Sequence, residues 1–466
     1  MRLLKQNQKG QVLVLVALML VILLGIASLA LDLGRAFGIK ARLNAAVDAA
    51  SFEATKAMGQ GANESLMITK ATDVATAFFN ANYPAGYLGA TPAAPTVTPV
   101  HDPATGLWTV TVEATAQMPS FLSGLAGFPS FSVHASSESQ RRSLDMVLVL
   151  DTSASLASDF PLVKSESEAY IDLFSETDDR VGLVAFSTGA APIVSICGDM
   201  SPPQNPSNGL SCSRGFVKGT AGSRPPDGVK SAIDKLDLNL TTNSEEGIKK
   251  ALDQLNSLRK EARSSTRVIV FFSDGAPNTF NSKVTLDGGT TVSGNLYSYI
   301  TDENNNSAKP NWIFDPTKYD DSTGSKYTLR APLTTSGSDL SGTVPLASFD
   351  GKRSFSGGIS DVDVHCDANK AARNMVENVA NTARSQGVIV FTLGLGGFLD
   401  DLEVGDCGYV KAVENGTNIL KRLANTTDSD TYNPAQPSGI YCHAQTTADL
   451  KPCFDRIASI ILRITR

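Results

Sequence analysis

The sequence predicts an α/β chain: a doubly wound, mainly parallel sheet with long insertions, preceded by an N-terminal transmembrane helix and a small α+β module. Three observations carry that expectation. Residues 146–150, 180–186, 267–272 and 388–393 are mostly apolar runs of strand length, as expected of strands covered on both faces. Stretches with helical patterning fall between them, at about 163–174, 227–236, 244–260 and 369–385. Residues 12–31 form a 20-residue run without a charged side chain, broken only by Gly25 and Ser28 among mostly aliphatic side chains.

The chain has 466 residues, the length of about three ordinary domains, which excludes a one-motif mini-protein. Its 40 basic and 47 acidic residues give a net charge of −7, which argues against a generic nucleic-acid binder, so no nucleic-acid partner is expected. We divide it into 1–59, the membrane helix and an extended stalk; 60–140, a small extracytoplasmic α+β module; and 141–466, the sheet domain, with insertions at about 187–226 and 276–365.

At 1.5 Å per residue, residues 12–31 reach about 30 Å, enough to cross the hydrocarbon core of a membrane. Arg2, Lys5 and Lys9 precede the run, so the short N-terminus is expected on the cytoplasmic side and the large remainder outside. A cleaved secretory signal is the alternative, since Ser28-Leu29-Ala30 offers a small-x-small site, although the run exceeds the usual signal core. The helical pattern continues to about residue 58, with Leu43, Val47, Ala50 and Ala54 on one side. That side either packs on the next domain or joins partner helices in an assembly.

Gly10, the apolar run, Leu31-Asp32-Leu33-Gly34-Arg35 and Leu43-Asn44-Ala45-Ala46-Val47-Asp48-Ala49-Ala50 together resemble the N-terminal segment of TadE/TadG-like proteins of tight-adherence, or Flp-type, pilus machinery. The resemblance covers about the first 55 residues. It implies a single-pass protein of the bacterial inner membrane, with pilus-assembly proteins as partners and a surface or pilus-associated location as a variant. Leu15 stands where prepilins processed after a glycine often carry glutamate, so a membrane-retained accessory protein fits better than a cleaved major pilin.

In the small module, residues 69–80 read as helix, and 96–100 and 108–114 as strands of a hairpin around the turn sequence at 101–106. Residues 131–135 are a further strand. Trp108 reads as a core or interface anchor, and nothing in this module has catalytic spacing.

The most specific signal follows Arg141-Arg142. The apolar run at 146–150 leads directly into Asp151-Thr152-Ser153-Ala154-Ser155, a carboxylate and several hydroxyls on one tight loop. These are hard oxygen ligands of the kind that suit magnesium, manganese or calcium. Leu240-Thr241-Thr242-Asn243 and Ser273-Asp274-Gly275 are further oxygen-bearing loops, and in a doubly wound sheet such loops meet beyond the carboxyl ends of the strands.

This pattern resembles a von Willebrand factor type A domain with a metal-ion-dependent adhesion site, over roughly residues 145–461. Asp151, Ser153 and Ser155 match the Asp-x-Ser-x-Ser first loop, Thr242 the threonine of the second, and Asp274 the aspartate of the third; Thr241 stands where a glycine is common. The resemblance implies a divalent cation, with magnesium preferred and manganese or calcium as substitutes. It also implies an adhesive mechanism in which an exposed Asp or Glu of a protein or cell-surface ligand completes the metal shell. A non-enzymatic, metal-dependent binding or adhesion component of pilus assembly is therefore expected. The alternatives are an assembly or minor-pilin-like scaffold whose metal site is mainly structural and, less favoured, a metal-dependent hydrolase. The hydrolase reading finds no histidine between His134 and His365, no nucleophile elbow and no Walker lysine.

The second insertion is too long for an ordinary loop and carries Tyr297, Tyr299, Trp312, Phe314, Tyr319 and Tyr327, which argues against a linker. If Phe186 and Phe272 end strands, both insertions leave the sheet beside the metal loops and frame specificity. Its acidic residues Asp302, Glu303, Asp315, Asp320 and Asp321 read as solvated loops, since none follows a calcium-hand spacing. In an oxidising compartment the six cysteines are candidates for disulfides. Cys197 with Cys212 is the easiest local pair, Cys442 with Cys453 the next, and Cys366 with Cys407 completes one of 15 connectivities. Zinc at His365-Cys366 and Cys442-His443 is the alternative, without a compact finger spacing. Leu450, Phe454, Ile457, Ile460 and Ile461 predict a C-terminal helix packed back on the sheet.

Overall fold

The structure is a computed structural model that describes residues 9–58, 64–102, 107–121, 123–200, 212, 214–286, 289–297, 311–327, 333–358, 360–400 and 415–465. Cys407, Tyr299, Asp302 and Glu303 lie outside the described residues. The chain divides into two compact units, one ending at Arg141 and the other running from Arg142 to Thr465.

The first unit begins with α1 (Lys9–Met58), a single helix of 50 residues. Val12 to Leu31 is exposed almost throughout. Further on, Ile39, Leu43, Val47, Ala50 and Ala54 recur at helical spacing and are fully buried. They pack with Met67, Ala71, Ala75 and Phe79 of α2 (Glu64–Asn82), the alanines allowing close approach. The same core takes one face of an antiparallel sheet of β1 (Thr91–Pro92), β2 (Thr96–Asp102), β3 (Leu107–Pro119) and β4 (Ser130–Arg141). Along β3 every second residue from Trp108 to Met118 is buried, the period-2 pattern of a half-covered strand. Trp108 is a core residue whose ring stacks on His101 at 4.4 Å, across the β2–β3 hairpin pair His101–Trp108.

The second unit is built on a six-stranded sheet. Its strands are β5 (Leu144–Asp151), β6 (Arg180–Phe186), β7 (Ala190–Val194), β8 (Thr266–Ser273), β13 (Ile389–Leu395) and β14 (Tyr441–Ala444), in the order β14-β13-β8-β5-β6-β7. All neighbours are parallel except β6 and β7. Because side chains alternate across a strand, the apolar runs supply two cores. Val147, Val149, Val184, Phe186, Ile269 and Phe271 face α5 (Ser244–Ser257) and α6 (Asp361–Ser385). Met146, Leu148, Leu150, Leu183, Val270 and Phe272 face α3 (Phe160–Ile171), α4 (Val229–Asp234) and the last helix, α8 (Leu450–Ile464). Each such fully buried side chain contributes about 1.5–3 kcal/mol of hydrophobic stabilisation. This is a von Willebrand factor type A-like α/β fold. In the last helix Leu450, Phe454, Ile457 and Ile461 are buried and Ile460 half-buried.

Several elements depart from the sequence reading. Helix α6 starts at Asp361 rather than near residue 369, because Ser360 Oγ accepts from Asp363 N at 3.2 Å and acidic residues in the first turn suit the helix dipole. The beginning of the first insertion is sheet: β7 folds back on β6 with a register shift at Leu183/Val184. The second insertion forms its own antiparallel sheet of β9 (Thr279–Thr285), β10 (Thr291–Tyr297), β11 (Asn311–Phe314) and β12 (Ser325–Tyr327). Phe280, Val284 and Leu296 of this sheet join the α5/α6 core. A further helix, α7 (Gly416–Ala424), buries Ile419, Leu420 and Leu423.

Disulfides join Cys197 to Cys212 and Cys442 to Cys453, with Cα–Cα distances of 5.6 and 5.5 Å. Cys366 is also disulfide-bonded. Asp315 and Asp321 serve turns: Asp315 Oδ1 accepts from Thr317 N at 2.9 Å, and Asp321 Oδ1 from Thr323 N at 2.9 Å.

Candidate metal-binding site

Strand β5 is buried along its whole length between β6 and β8, and Asp151 is its last residue, fully buried. The chain then turns sharply. Asp151 accepts from Ser153 N at 2.8 Å, and Ser153 leads into a short 3-10 turn, Ala154–Leu156. This local Asp/Ser turn keeps the carboxylate and both serine hydroxyls on one side of the loop.

Strand β8, the parallel neighbour, ends at the same level. Ser273 Oγ donates to Asp151 Oδ2 at 2.6 Å, and the next residue, Asp274, accepts from Ser155 Oγ at 2.9 Å. Ser153 Oγ and Ser155 Oγ lie 3.1 Å apart. Asp151, Ser153, Ser155 and Asp274 thus form one connected network of oxygens at the carboxyl end of two central strands.

The loop carrying Thr242 is tied to the other two through the backbone. Thr242 N donates to Asn278 Oδ1 at 2.9 Å, which fixes it to the segment after Asp274. Ser187, just beyond β6, donates through Oγ to Thr241 O at 3.1 Å and accepts from Asn243 N at 2.8 Å. Thr152 N in turn donates to Phe186 O at 2.9 Å. The hydroxyl of Thr241 is buried without a hydrogen-bond partner among the described residues. Sequence reasoning missed Asn278, Ser187 and Asn239, whose N–H donates to Thr152 O at 2.7 Å. Each bonds to a peptide group of a neighbouring loop, Asn278 and Ser187 through their side chains and Asn239 through its own N–H, and such bonds leave no spacing signature; for Ser187 the only hint was its place directly after an apolar strand.

Burial, and secondarily the charge of Asp274, pushes the Asp151 carboxyl up to about 7. Burial likewise pushes Asp274 up to about 6, against the hydrogen bonds from Ser155 and Ser153. Two desolvated carboxylates side by side disfavour each other's ionisation. Neither forms an ion pair among the described residues, so a compensating positive charge has a place here. Two carboxylates with serine and threonine hydroxyls are a hard-oxygen set that fits a divalent cation of the magnesium kind. Among the described residues no group of three or more His, Cys, Asp or Glu side chains is placed to hold a metal, so the zinc alternative finds no cluster there.

The second insertion approaches this end of the sheet. Thr188 Oγ1 and Gly189 N donate to Tyr319 O at 3.0 and 3.3 Å. Gly189 is required by this approach, since a Cβ there would stand 2.5 Å from Lys318 O and 2.6 Å from Asn295 Nδ2. A cleft of about 550 Å³ opens between the two insertions, with Met200, Pro225 and Pro226 on one side and Tyr319 and Asp320 on the other. Leu236 and Asp237 also line it, three and two residues before Asn239.

The mainly parallel sheet flanked by helices resembles a von Willebrand factor type A-like α/β fold, and a long apolar helix precedes it in the chain. A family profile described as "Flp pilus-assembly TadE/G-like" matches residues 10–57, which is α1. No curated protein matches the chain in sequence. Among solved structures, the chain is similar to the pilus adhesin SpaC from Lactobacillus rhamnosus GG in its open conformation. Identity is 15% and the TM-score 0.38, over 80% of this chain and 34% of that one. The adhesive tip pilin GBS104 from Group B Streptococcus agalactiae gives 13% identity and a TM-score of 0.32, over 78% and 67% of the two chains. Proximal thread matrix protein 1 from the mussel byssus, solved with a zinc-occupied adhesion motif, gives 13% and 0.32, over 69% and 46%. The chain therefore spans about a third of SpaC and under half of the mussel protein. At these scores the reading of the site rests on this chain's own side chains.

Proposed function

We propose that this chain is a membrane-anchored binding component of a tight-adherence pilus system that captures a partner protein through a divalent cation. Asp151, Ser153, Ser155, Thr242 and Asp274 would hold the ion, and a carboxylate of the partner, or of a cell-surface ligand, would complete its shell. The cation supplies a positive centre to which a foreign carboxylate can bind. The observation that carries the reading is the pair of mutually repelling carboxylates, Asp151 fully buried and Asp274 half-buried, joined through serine hydroxyls at the end of β5 and β8. Such a pair is costly without a cation and suited to one.

The protein's own groups orient the site. Ser273 and the Ser153 N–H hold Asp151, Ser155 holds Asp274, and Asn278 fixes the Thr242 loop. The cleft between the insertions is the place where the side chains around the partner's carboxylate would be selected. The apolar run of α1 supports an anchor in the inner membrane, with the second unit outside. Asp274→Ala should abolish magnesium binding, read by titration calorimetry, while the far-ultraviolet spectrum stays native; unchanged magnesium affinity would sink the site.

A scaffold role with a mainly structural metal is the second reading, favoured by the profile match on α1. Crosslinking in producing cells separates the two. Neighbours that stay bound when magnesium is chelated support the scaffold, and neighbours lost on chelation support metal-bridged capture.

A further inference from the structure

Three observations in the first unit meet at one place on α1. Within the apolar run 12–31, Ser28 is 3% exposed while the residues around it are open, and one turn later Asp32 is 1% exposed. Four residues apart, the two lie on one side of the helix. Asp32 accepts from Phe121 N at 3.0 Å and from Ser123 Oγ at 2.6 Å, and Ser123 begins a short 3-10 turn, Ser123–Ala126. The loop carrying that turn is closed by Ser120 N donating to Pro129 O at 3.1 Å.

Arg35 holds the other side of the loop. Its guanidinium donates to Leu88 O at 2.8 Å and to Pro119 O at 3.2 Å, and lies 4.9 Å from the centre of the Phe121 ring. Around this fixed point the large apolar side chains are nevertheless open: Phe121 is 71% exposed, Phe128 61% and Leu88 43%. Phe37, on the helix itself, is 69% exposed. Aromatic rings left open on a tethered loop need a cover.

The cover is set by continuity with the helix. The Ser28–Asp32 turn straddles the end of the apolar run, and at 1.5 Å per residue Ser28 lies about 5 Å inside it. A loop bound to Asp32, the first residue past the run, is therefore held at the membrane surface once the run occupies hydrocarbon. Phenylalanine rings beside an arginine paired with Asp32 at 3.2 Å suit the boundary between headgroups and acyl chains, where apolar bodies are buried about 5–10 Å deep.

We propose that Phe121 and Phe128, on either side of the Ser123–Ala126 turn, form with Leu88 and Phe37 a membrane foot: it inserts into the outer headgroup boundary of the lipid bilayer that α1 crosses. Asp32 and Arg35 fix the depth at which the helix leaves the bilayer. The foot rests on the reading of α1 as a span.

The test uses the full chain in phospholipid nanodiscs with single spin labels at Phe121→Cys, Phe128→Cys, Thr98→Cys and Leu20→Cys, the unsubstituted chain serving as the blank. Thr98 is an exposed residue of β2, and Leu20 sits in the middle of the apolar run. Accessibility to oxygen, which concentrates in lipid, is compared with that to a water-soluble nickel chelate. Labels at 121, 128 and 20 should favour oxygen, and the label at 98 the chelate. A lipid signal at 20 with chelate-accessible labels at 121 and 128 overturns the foot and leaves the span standing. Labels at 121 and 128 shielded from both reagents also overturn it, in favour of a protein cover such as a second copy. A chelate-accessible label at 20 overturns span and foot together.

Discussion

Replacing Asp274 by asparagine tests the metal site most sharply, because a cation site and a purely structural turn predict stability changes of opposite sign. Asparagine keeps an acceptor for Ser155 Oγ, which now donates at 2.9 Å, and removes one of the two charges. Burial holds Asp274 at about 6 against an ordinary 3.8, so carrying it ionised at pH 7 costs the metal-free fold about 3 kcal/mol at most, each unit being about 1.4 kcal/mol. The substitution also removes the charge that helps to raise Asp151. In chelator, D274N should therefore be more stable than the unsubstituted chain by about 1–3 kcal/mol, a rise of a few degrees in Tm for a unit of this size. Magnesium at a hundredfold excess over its Kd should stabilise the unsubstituted chain by about 2.7 kcal/mol and leave the variant unmoved. Calorimetric melts of the detergent-solubilised chain, with and without magnesium, read both effects. A variant that melts lower in chelator, or that gains as much from magnesium, would refute the argument that an unneutralised carboxylate pair defines the site.

Other consequences are equally measurable. Because both site carboxyls are raised, the metal-free second unit should be most stable below about pH 4 and lose stability as pH rises through about 6 and 7; magnesium affinity should increase over the same window, as titrations at several pH values would read. Glu377 accepts from Arg353 at 2.8 Å and from Arg422 at 2.9 Å, all three buried, so Glu377→Gln should cost about 3–5 kcal/mol in urea unfolding by removing the carboxylate that two guanidinium groups share. Gly189→Val should force the second insertion off the 187–189 turn at a cost of about 1–3 kcal/mol, seen as faster proteolysis within residues 276–365. Trp108→Ala should destabilise the first unit by about 3–5 kcal/mol while leaving magnesium binding unchanged, as paired melting and titration would show.

The parts legible in the sequence are those whose physics is local. A strand buried on both faces has to be apolar nearly throughout, so 146–150 and 180–186 announced themselves, and the latter matches β6 residue for residue. A helix half-buried on a core must repeat near 3.6, which exposed Leu43, Val47, Ala50 and Ala54 and the last helix. Asp151, Ser153, Ser155 and Asp274 were readable because loops at strand ends keep their polar residues beside conspicuous apolar runs. The insertion sheet was not readable: β9 to β12 mix Asn, Ser, Thr and Gly with a few large side chains, and Gly294 sits inside β10 with φ 158°. Strand β7 hid for a related reason. It is an edge strand carrying Pro192, which an edge tolerates and a sequence pattern reads as a break. The ties of the Thr242 loop end on its peptide groups, so its own side chains do not signal them, and the partner side chains Asn278 and Ser187 sit far away in sequence.

The position of Asp151 has a mechanical consequence. Strand β5 begins three residues after the first unit ends at Arg141, and it finishes on the carboxylate that would hold the ion. A partner pulling on that ion against an anchor in α1 would load β5 along its own axis. Its residues 145–151 are paired with β6 and 144–150 with β8, both parallel, so tension is spread over two complete ladders in shear and cannot open them one bond at a time. Such a load would pass through a strand buried at every residue.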